Sequence, residues 1–221
     1  MDEIEWWEFD TPAELAEQVA GDIGFVIESA VEAHGGARIA LPGRDGSQPV
    51  YRALLAAKGI DWSKVELVPT HEALDAPVHG DALRALFGAK GAEVVQLADG
   101  GSEAAAAGRD ADKRLGALRW PLDLVLLTVA ADGRVGGIAP GAGMDAAVSG
   151  PKGRRAVGTA DGVTLTAAAL ASARAIMLVL SGAEQRATVE RAIKDGPLSA
   201  LPIGRLLAEI ENAVDVFWSA D

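Results

Sequence analysis

The chain has 221 residues, with 20 lysines and arginines against 32 aspartates and glutamates, so its formal net charge is −12. So acidic a protein is a poor electrostatic partner for nucleic acid or for an anionic membrane, and we expect neither as a ligand. The chain has no cysteine, which excludes disulfides, thiolate metal sites and a cysteine nucleophile. Three histidines offer little for a histidine-rich metal site, and we predict no metal and no cofactor.

Length and hydrophobicity predict one globular α/β domain over residues 1–221. Hydrophobic residues make up 49% of the chain and charged residues 24%, a composition that supports a buried core. The first ten residues lack the basic and apolar segments of a secretory signal. The longest apolar run, at 124–131, is far shorter than the ~20 residues needed to span a bilayer. We therefore expect a cytoplasmic protein.

Predicted strands and helices alternate along the chain. A first helix begins after Thr11, with a proline at its first position, and ends near residue 33 before two glycines. Strands are predicted at 37–41, 64–68, 93–97, 122–130 and 175–180, and helices at 50–58, 81–87, 103–118 and 183–194, with a weak helix after the fourth strand. The runs 124–127 and 176–180 are apolar on both faces, as in strands covered by helices on each side. This pattern predicts a doubly wound, mostly parallel sheet flanked by helices.

Ligands in such sheets bind outside the carboxyl ends of the strands, so the loops after residues 41, 68, 130 and 180 should meet at one edge and carry the site. In the first loop, Gly43 and Gly46 let the backbone approach a ligand, Ser47 can donate a hydroxyl, and the helix start favours an anion. Asp45 beside Arg44 argues against phosphate, because a carboxylate repels it. From these residues alone, a plain connection between strand and helix is favoured.

The second and third loops carry ionisable residues. His71 beside Glu72 at a strand end can exchange a proton near neutral pH, although an exposed polar turn has the same sequence. In the third loop, Asp132 can orient a neighbour, Gly133 can admit a ligand, and Arg134 can bind phosphate or stabilise an oxyanion. Asp-Gly is also a common turn dipeptide, and both interpretations stay open.

The fourth loop opens a helix whose first turn offers backbone amides, Gln185 and Arg186. An acidic residue there also suits the helix dipole without any ligand. The segment 151–155 is the one dense basic run in this acidic sequence, and either a solvated turn or the neighbourhood of an anion site explains it.

The order of these pieces resembles the 6-phosphogluconolactonase family, whose fold is shared with glucosamine-6-phosphate isomerase. The resemblance covers residues 9–218 and is carried by Pro49-Val50-Tyr51, Trp62 with the following strand, the stretch 126–134, Val163-Thr164-Leu165-Thr166, and the stretch 178–186. The third of these looks like the family's LGMGxDGH loop, the fourth like RVTLT, and the last like a strand ending in GxxK. The resemblance implies a Rossmann-like fold and hydrolysis of 6-phosphoglucono-1,5-lactone to the acid, without a cofactor.

Departures from the family pattern fall on the residues that carry its chemistry. The family's DER triplet reads His71-Glu72-Ala73, so its arginine is missing. The proton-transfer histidine of DGH is Arg134, which cannot act as a general base because arginine does not deprotonate in proteins. The phosphate-binding lysine of GxxK is Gln185. The resemblance therefore implies a divergent member with much reduced or altered activity.

Three hypotheses follow. In the first, the protein is a lactonase in which His71, oriented by Glu72, replaces the missing base, and Arg134 and Arg44 hold the phosphate or the oxyanion. In the second, it is a catalytically inactive homologue that binds a sugar phosphate or sugar lactone and acts in regulation. In the third, it is a structural subunit. A position of His71 near the Asp132-Gly133 loop favours the enzyme.

The predicted catalytic residues are His71, Glu72, Asp132 and Arg134. The predicted substrate-binding residues are Gly43, Arg44, Gly46, Ser47, Gly133, Gln185 and Arg186. We expect a monomer or a homodimer.

Overall fold

The computed structural model describes residues 4–101, 103–150, 152–160 and 162–220. Within these ranges the strands are β1 (Ile4–Phe9), β2 (Ala37–Leu41), β3 (Val65–Pro69), β4 (His71–Glu72), β5 (Glu93–Val94), β6 (Leu124–Thr128), β7 (Ala156–Thr159), β8 (Gly162–Leu165), β9 (Ala175–Ser181) and β10 (Val214–Ser219). The α-helices are α1 (Pro12–His34), α2 (Gln48–Ala56), α3 (Val78–Phe87), α4 (Ala104–Gly116), α5 (Ala142–Val148), α6 (Ala167–Ala171), α7 (Gly182–Asp195) and α8 (Pro202–Glu209). No helix among the described residues is both long and apolar enough to cross a membrane.

Seven strands form one parallel sheet in the order β1-β10-β9-β6-β2-β3-β5. The four strands whose ends were predicted to meet are consecutive in this order, as β9, β6, β2 and β3. Because all four run in the same direction, their carboxyl ends lie at one edge of the sheet. The predicted doubly wound parallel sheet is confirmed.

Helices cover both faces of this sheet, and each face has its own hydrophobic core. Along β6, Leu124 and Leu126 belong to the core with α1, α2 and α3. Val125 and Leu127 belong to the core on the other face, with α4, α6, α7 and α8. Successive side chains of a strand point to opposite faces, so a strand buried on both sides needs an unbroken apolar run. Burying each such side chain is worth about 1.5–3 kcal/mol.

Two strands of the main sheet and a separate, smaller sheet were not predicted from the sequence. The missed strands are β1, which lies at the edge of the sheet, and its neighbour β10. The smaller sheet has three antiparallel strands in the order β4-β8-β7. It pairs His71 with Thr164 and so fixes His71 just beyond the end of β3.

Candidate active site

A cleft lies at the carboxyl edge of the sheet and consists of two adjoining cavities. The His71 cavity, of about 250 Å³, is lined by His71, Arg134, Gly137 and other residues of the loops after β2, β3 and β6. The Ser47 cavity, of about 290 Å³, is lined by Gly46 and Ser47 at the start of α2 and by residues at the end of β9. Both cavities are lined by Asp45, Thr128 and Gln185, which therefore join them.

His71 forms a pair with Asp45, a residue 26 positions earlier on the neighbouring loop. The Nε2 atom of His71 lies 3.1 Å from Oδ2 of Asp45, and its Nδ1 atom lies 3.1 Å from the hydroxyl of buried Thr70. The hydrogen bond from His71 is the main reason why the pKa of Asp45 lies below its usual value. Asp45 is therefore a carboxylate, which can only accept, so Nε2 of His71 donates to it.

The carboxylate of Asp45 is the accessible partner of this pair. Its side chain is 62% exposed and lines both cavities, whereas the side chain of His71 is 19% exposed. A carboxylate has room for several hydrogen bonds, so Asp45 can accept one from water in the cleft while it holds His71. The pair therefore offers a proton acceptor that faces the cleft.

A second histidine, His79, packs behind the pair. Its ring lies 3.9 Å from the ring of His71, and its Nδ1 atom donates to the carbonyl of Pro42 at 3.2 Å. Burial is the largest cause of a lowered pKa for His79, and the neighbouring His71 adds to the effect. His79 is therefore held in its neutral form.

Two glycines let the loops approach these rings. Gly43 has φ +64°, and a Cβ atom there would lie 2.6 Å from Cβ of His79. Gly137 has φ +84°, and a Cβ atom there would lie 2.2 Å from Cβ of His71. Both the left-handed backbone and the contact exclude larger residues. The loop that carries Arg134 thus packs directly against His71, which favours the enzyme hypothesis.

Glu72 does not orient His71, and the prediction that it does was wrong. Adjacent residues of a strand point to opposite faces, and Glu72 points into the protein, where it is 1% exposed. Its carboxylate accepts backbone N–H groups from His79 at 2.9 Å, Gly80 at 2.7 Å and Ala73 at 3.1 Å. Glu72 therefore holds the first turn of α3 and, through it, His79.

Arg186, predicted to bind substrate, lines neither cavity. Its guanidinium pairs with Glu8 and Glu190, both at 2.8 Å, and lies over the rings of Trp6 and Trp218. Two carboxylates already neutralise its charge, so the structure places Arg186 in a surface cluster and not in the site.

Of the other predicted residues, Gln185 lines both cavities and its Oε1 atom accepts the N–H of Ser181 at 2.8 Å. Asp132 accepts the N–H of Arg134 at 3.0 Å, within its own turn, and lines neither cavity.

Gly133 is buried against Leu201, where a Cβ atom would lie 2.9 Å from Cβ of that residue. Arg44 is exposed in the loop between β2 and α2 and lines neither cavity, although the next residue, Asp45, lines both.

Within the basic run, residue 151 lies outside the described residues. Residues 152–155 do not line the cleft, and the guanidinium of Arg155 lies 5.1 Å from the ring of Trp120. Residues 152–155 are therefore not part of this site.

The lowered pKa of His79 predicts how the free energy of unfolding changes with pH. An unfolded chain binds a proton at this histidine more readily than the folded protein does, so the free energy of unfolding falls as the pH drops below about 6.5. Between pH 7.5 and 5.5, the Tm of the wild type should fall further than that of His79→Gln. Thermal melts of the two proteins over this pH range measure the difference. An equal fall in Tm for both proteins would contradict the prediction.

Comparison with known proteins identifies the relatives of this chain. The sequence profile described as "Glucosamine-6-phosphate isomerases/6-phosphogluconolactonase" matches residues 10–218. A 6-phosphogluconolactonase of Rhizobium meliloti is 28% identical over 96% of this chain and 97% of its own length. One of Mesorhizobium japonicum is 31% identical over 97% of this chain and 94% of its own length.

Solved structures give the same result. The crystal structure of a 6-phosphogluconolactonase from Shewanella baltica superimposes with a TM-score of 0.88, at 28% identity and with 99% of each chain covered. Fold, sequence profile and relatives agree over nearly the whole chain. The chain therefore belongs to the glucosamine-6-phosphate isomerase/6-phosphogluconolactonase family.

Proposed function

We propose that this protein hydrolyses 6-phosphoglucono-1,5-lactone to 6-phosphogluconate in the cleft formed by the two cavities. Relatives that share 26–31% of its sequence over nearly its whole length are named 6-phosphogluconolactonase. The observation that carries the proposal is the pair of Asp45 and His71, joined at 3.1 Å in the same cavity as Arg134. A lactone is an activated ester, so a positioned proton acceptor and a positive charge suffice for a substantial acceleration.

In this mechanism a water molecule attacks the carbonyl carbon of the lactone. Its proton passes to the pair of Asp45 and His71, which we treat as one acceptor because a hydrogen bond of 3.1 Å joins the two groups. The guanidinium of Arg134 stabilises the negative charge that develops on the carbonyl oxygen. The bond between that carbon and the ring oxygen then breaks, and the proton held by the pair passes to the ring oxygen. The single product is 6-phosphogluconate, in which the former ring oxygen is the 5-hydroxyl.

The phosphate is assigned to the Ser47 cavity. This cavity lies between the first turns of α2 and α7, where Ser47 offers a hydroxyl and the free backbone N–H groups of both helices favour an anion. Gln185, in place of the family's lysine, adds no charge. The carboxylate of Asp45 also lines this cavity and repels a phosphate, so Arg44, next to it in the same loop, is expected to offset that charge and to supply the positive charge that a dianion needs.

Replacing Arg44 with alanine is expected to weaken binding of 6-phosphogluconate by roughly 10- to 150-fold, since a hydrogen bond to a charged group contributes about 1.5–3 kcal/mol. Calorimetry with 6-phosphogluconate measures the change. Arg52→Ala is the matched control, because Arg52 is a nearby exposed arginine that lies on α2 and not in the loop of Asp45, Gly46 and Ser47. Equal affinity in wild type and Arg44→Ala would place the phosphate elsewhere.

The test of the proposed function is the rate of lactone loss, followed by NMR, with and without purified protein. Hydrolysis of 6-phosphoglucono-1,5-lactone should exceed the spontaneous rate in proportion to the protein concentration, and glucono-1,5-lactone should be a much poorer substrate. Because Arg134 stands at the DGH histidine, we expect a lower rate than that of the Rhizobium meliloti relative, assayed alongside. A rate equal to the spontaneous one would reject the proposal.

A further inference from the structure

His79 presents an unprotonated nitrogen toward the pair of Asp45 and His71. It is 8% exposed, and its Nδ1 atom donates to the carbonyl of Pro42, so in the neutral ring Nε2 carries a lone pair. Nε2 lies 3.9 Å from Oδ2 of Asp45. That distance is too long for a hydrogen bond, so two lone pairs face each other across it.

Three side chains converge at this point. Asp45, His71 and His79 each offer one possible ligand atom, and these atoms lie within 4.8 Å of one another. Ligands bound tetrahedrally at 2.0–2.2 Å lie about 3.3–3.6 Å apart. The distances from Oδ2 of Asp45 to the two Nε2 atoms, 3.1 Å and 3.9 Å, fall on either side of that range. Two of the three separations are therefore close to those of a tetrahedral site, and the exposed carboxylate can adjust both.

The two rings are also held from behind, as metal-binding histidines usually are. The outer nitrogen of His79 is bound to the carbonyl of Pro42, and that of His71 to the hydroxyl of Thr70. With a metal on Nε2, the proton of the neutral His71 ring lies on Nδ1 and is donated to the Thr70 hydroxyl, as Nδ1 of His79 donates to the carbonyl of Pro42. Donation by the outer nitrogen orients the ring and raises the basicity of the nitrogen that binds the metal. Two imidazoles and a carboxylate are the ligands of zinc and similar ions, and not those of calcium or magnesium.

We propose that Asp45, His71 and His79 form a binding site for one divalent transition-metal ion of the zinc type. The protein fills three coordination positions, and the remaining positions open to the His71 cavity, which Asp45 and His71 line. The metal competes with the proton that lies between Asp45 and His71. It therefore inhibits lactone hydrolysis reversibly, a consequence that rests on the proposed function, whereas metal binding itself does not.

Calorimetry with Zn²⁺ on protein freed of metal by a chelator tests the site, together with the visible absorption of bound Co²⁺. One equivalent should bind to the wild type and raise its Tm. His79→Gln and Asp45→Asn should each weaken binding by more than the 10–100-fold that is typical of second-shell changes. His34→Ala is the matched control, since His34 is an exposed histidine at the end of α1.

His79→Gln keeps a hydrogen-bonding side chain of similar size, and its circular dichroism spectrum verifies that it folds. Absence of saturable binding to the wild type would overturn the proposal, as would equal affinity in wild type, His79→Gln and Asp45→Asn. These measurements need no substrate, so they stand if the protein lacks lactonase activity. Conversely, hydrolysis by the wild type without metal binding would overturn the metal site alone.

Discussion

Replacing His71 with alanine is expected to lower kcat/KM for 6-phosphoglucono-1,5-lactone by about 10²–10⁴, the usual loss when a positioned proton acceptor is removed. Without the imidazole, the carboxylate of Asp45 loses the partner that holds it at 3.1 Å and shares its proton. Asp45→Asn should have a similar effect, because it removes the accessible half of the same pair. Initial rates with metal-free protein measure both changes.

The double variant separates a pair from two independent groups. If Asp45 and His71 act as one unit, Asp45→Asn combined with His71→Ala should cost no more than the larger single loss. His34→Ala, which changes an exposed histidine at the end of α1, should keep the wild-type rate. Losses that multiply in the double variant would contradict a coupled pair, and a full rate in His71→Ala would remove His71 from the mechanism.

Replacing Arg134 with alanine is expected to lower kcat by about 10²–10³ and to change KM little, because removing one group that stabilises an oxyanion has this effect. Of the described residues that line the two cavities, Arg134 is the only one with a permanent positive charge. In the proposed mechanism its charge acts on the carbonyl oxygen in the transition state and not on the phosphate. Arg134→Lys should recover part of the rate by restoring the charge without the planar donor group.

The control for this change is Arg109→Ala, an exposed arginine on α4 that lines neither cavity. A higher KM with unchanged kcat in Arg134→Ala would assign this arginine to the phosphate. Arg134→His restores the family's DGH sequence and separates the two possible bases. A rate above that of the wild type in this variant would mean that the family histidine is the better base and that the pair of Asp45 and His71 does not replace it.

Much of the fold was predictable, because buried strands and capped helices have strong local signals. The apolar run of β6 and the cap of α1, where Thr11 accepts the N–H of Glu14 at 3.2 Å, both occur where the sequence placed them. The missed strand β1 reads Ile-Glu-Trp-Trp-Glu-Phe and lies at the edge of the sheet. Its two glutamates are exposed, so the sequence of β1 lacks the continuous apolar run of a buried strand. The strand forms by pairing with β10, which is distant in sequence.

The site was predictable in part. The rule that ligands bind at the carboxyl ends of parallel strands located the loops of His71 and Arg134. The partners of His71 could not be found from its neighbours, since Asp45 lies 26 residues away and is brought close by the pairing of β2 with β3. Because successive side chains of a strand point to opposite faces, Glu72 could have been excluded from the sequence as the residue that orients His71. His79 was overlooked because its contact with His71 depends on how α3 packs.

One experiment tests the proposed lactonase activity and its mechanism together. It compares the rates of 6-phosphoglucono-1,5-lactone hydrolysis by the wild type and by the double variant Asp45→Asn, His71→Ala with the uncatalysed rate. Circular dichroism of both proteins verifies that they are folded. We expect a wild-type rate clearly above the uncatalysed rate and a loss of about 10²–10⁴ in the double variant. Equal rates in the two folded proteins would contradict this expectation.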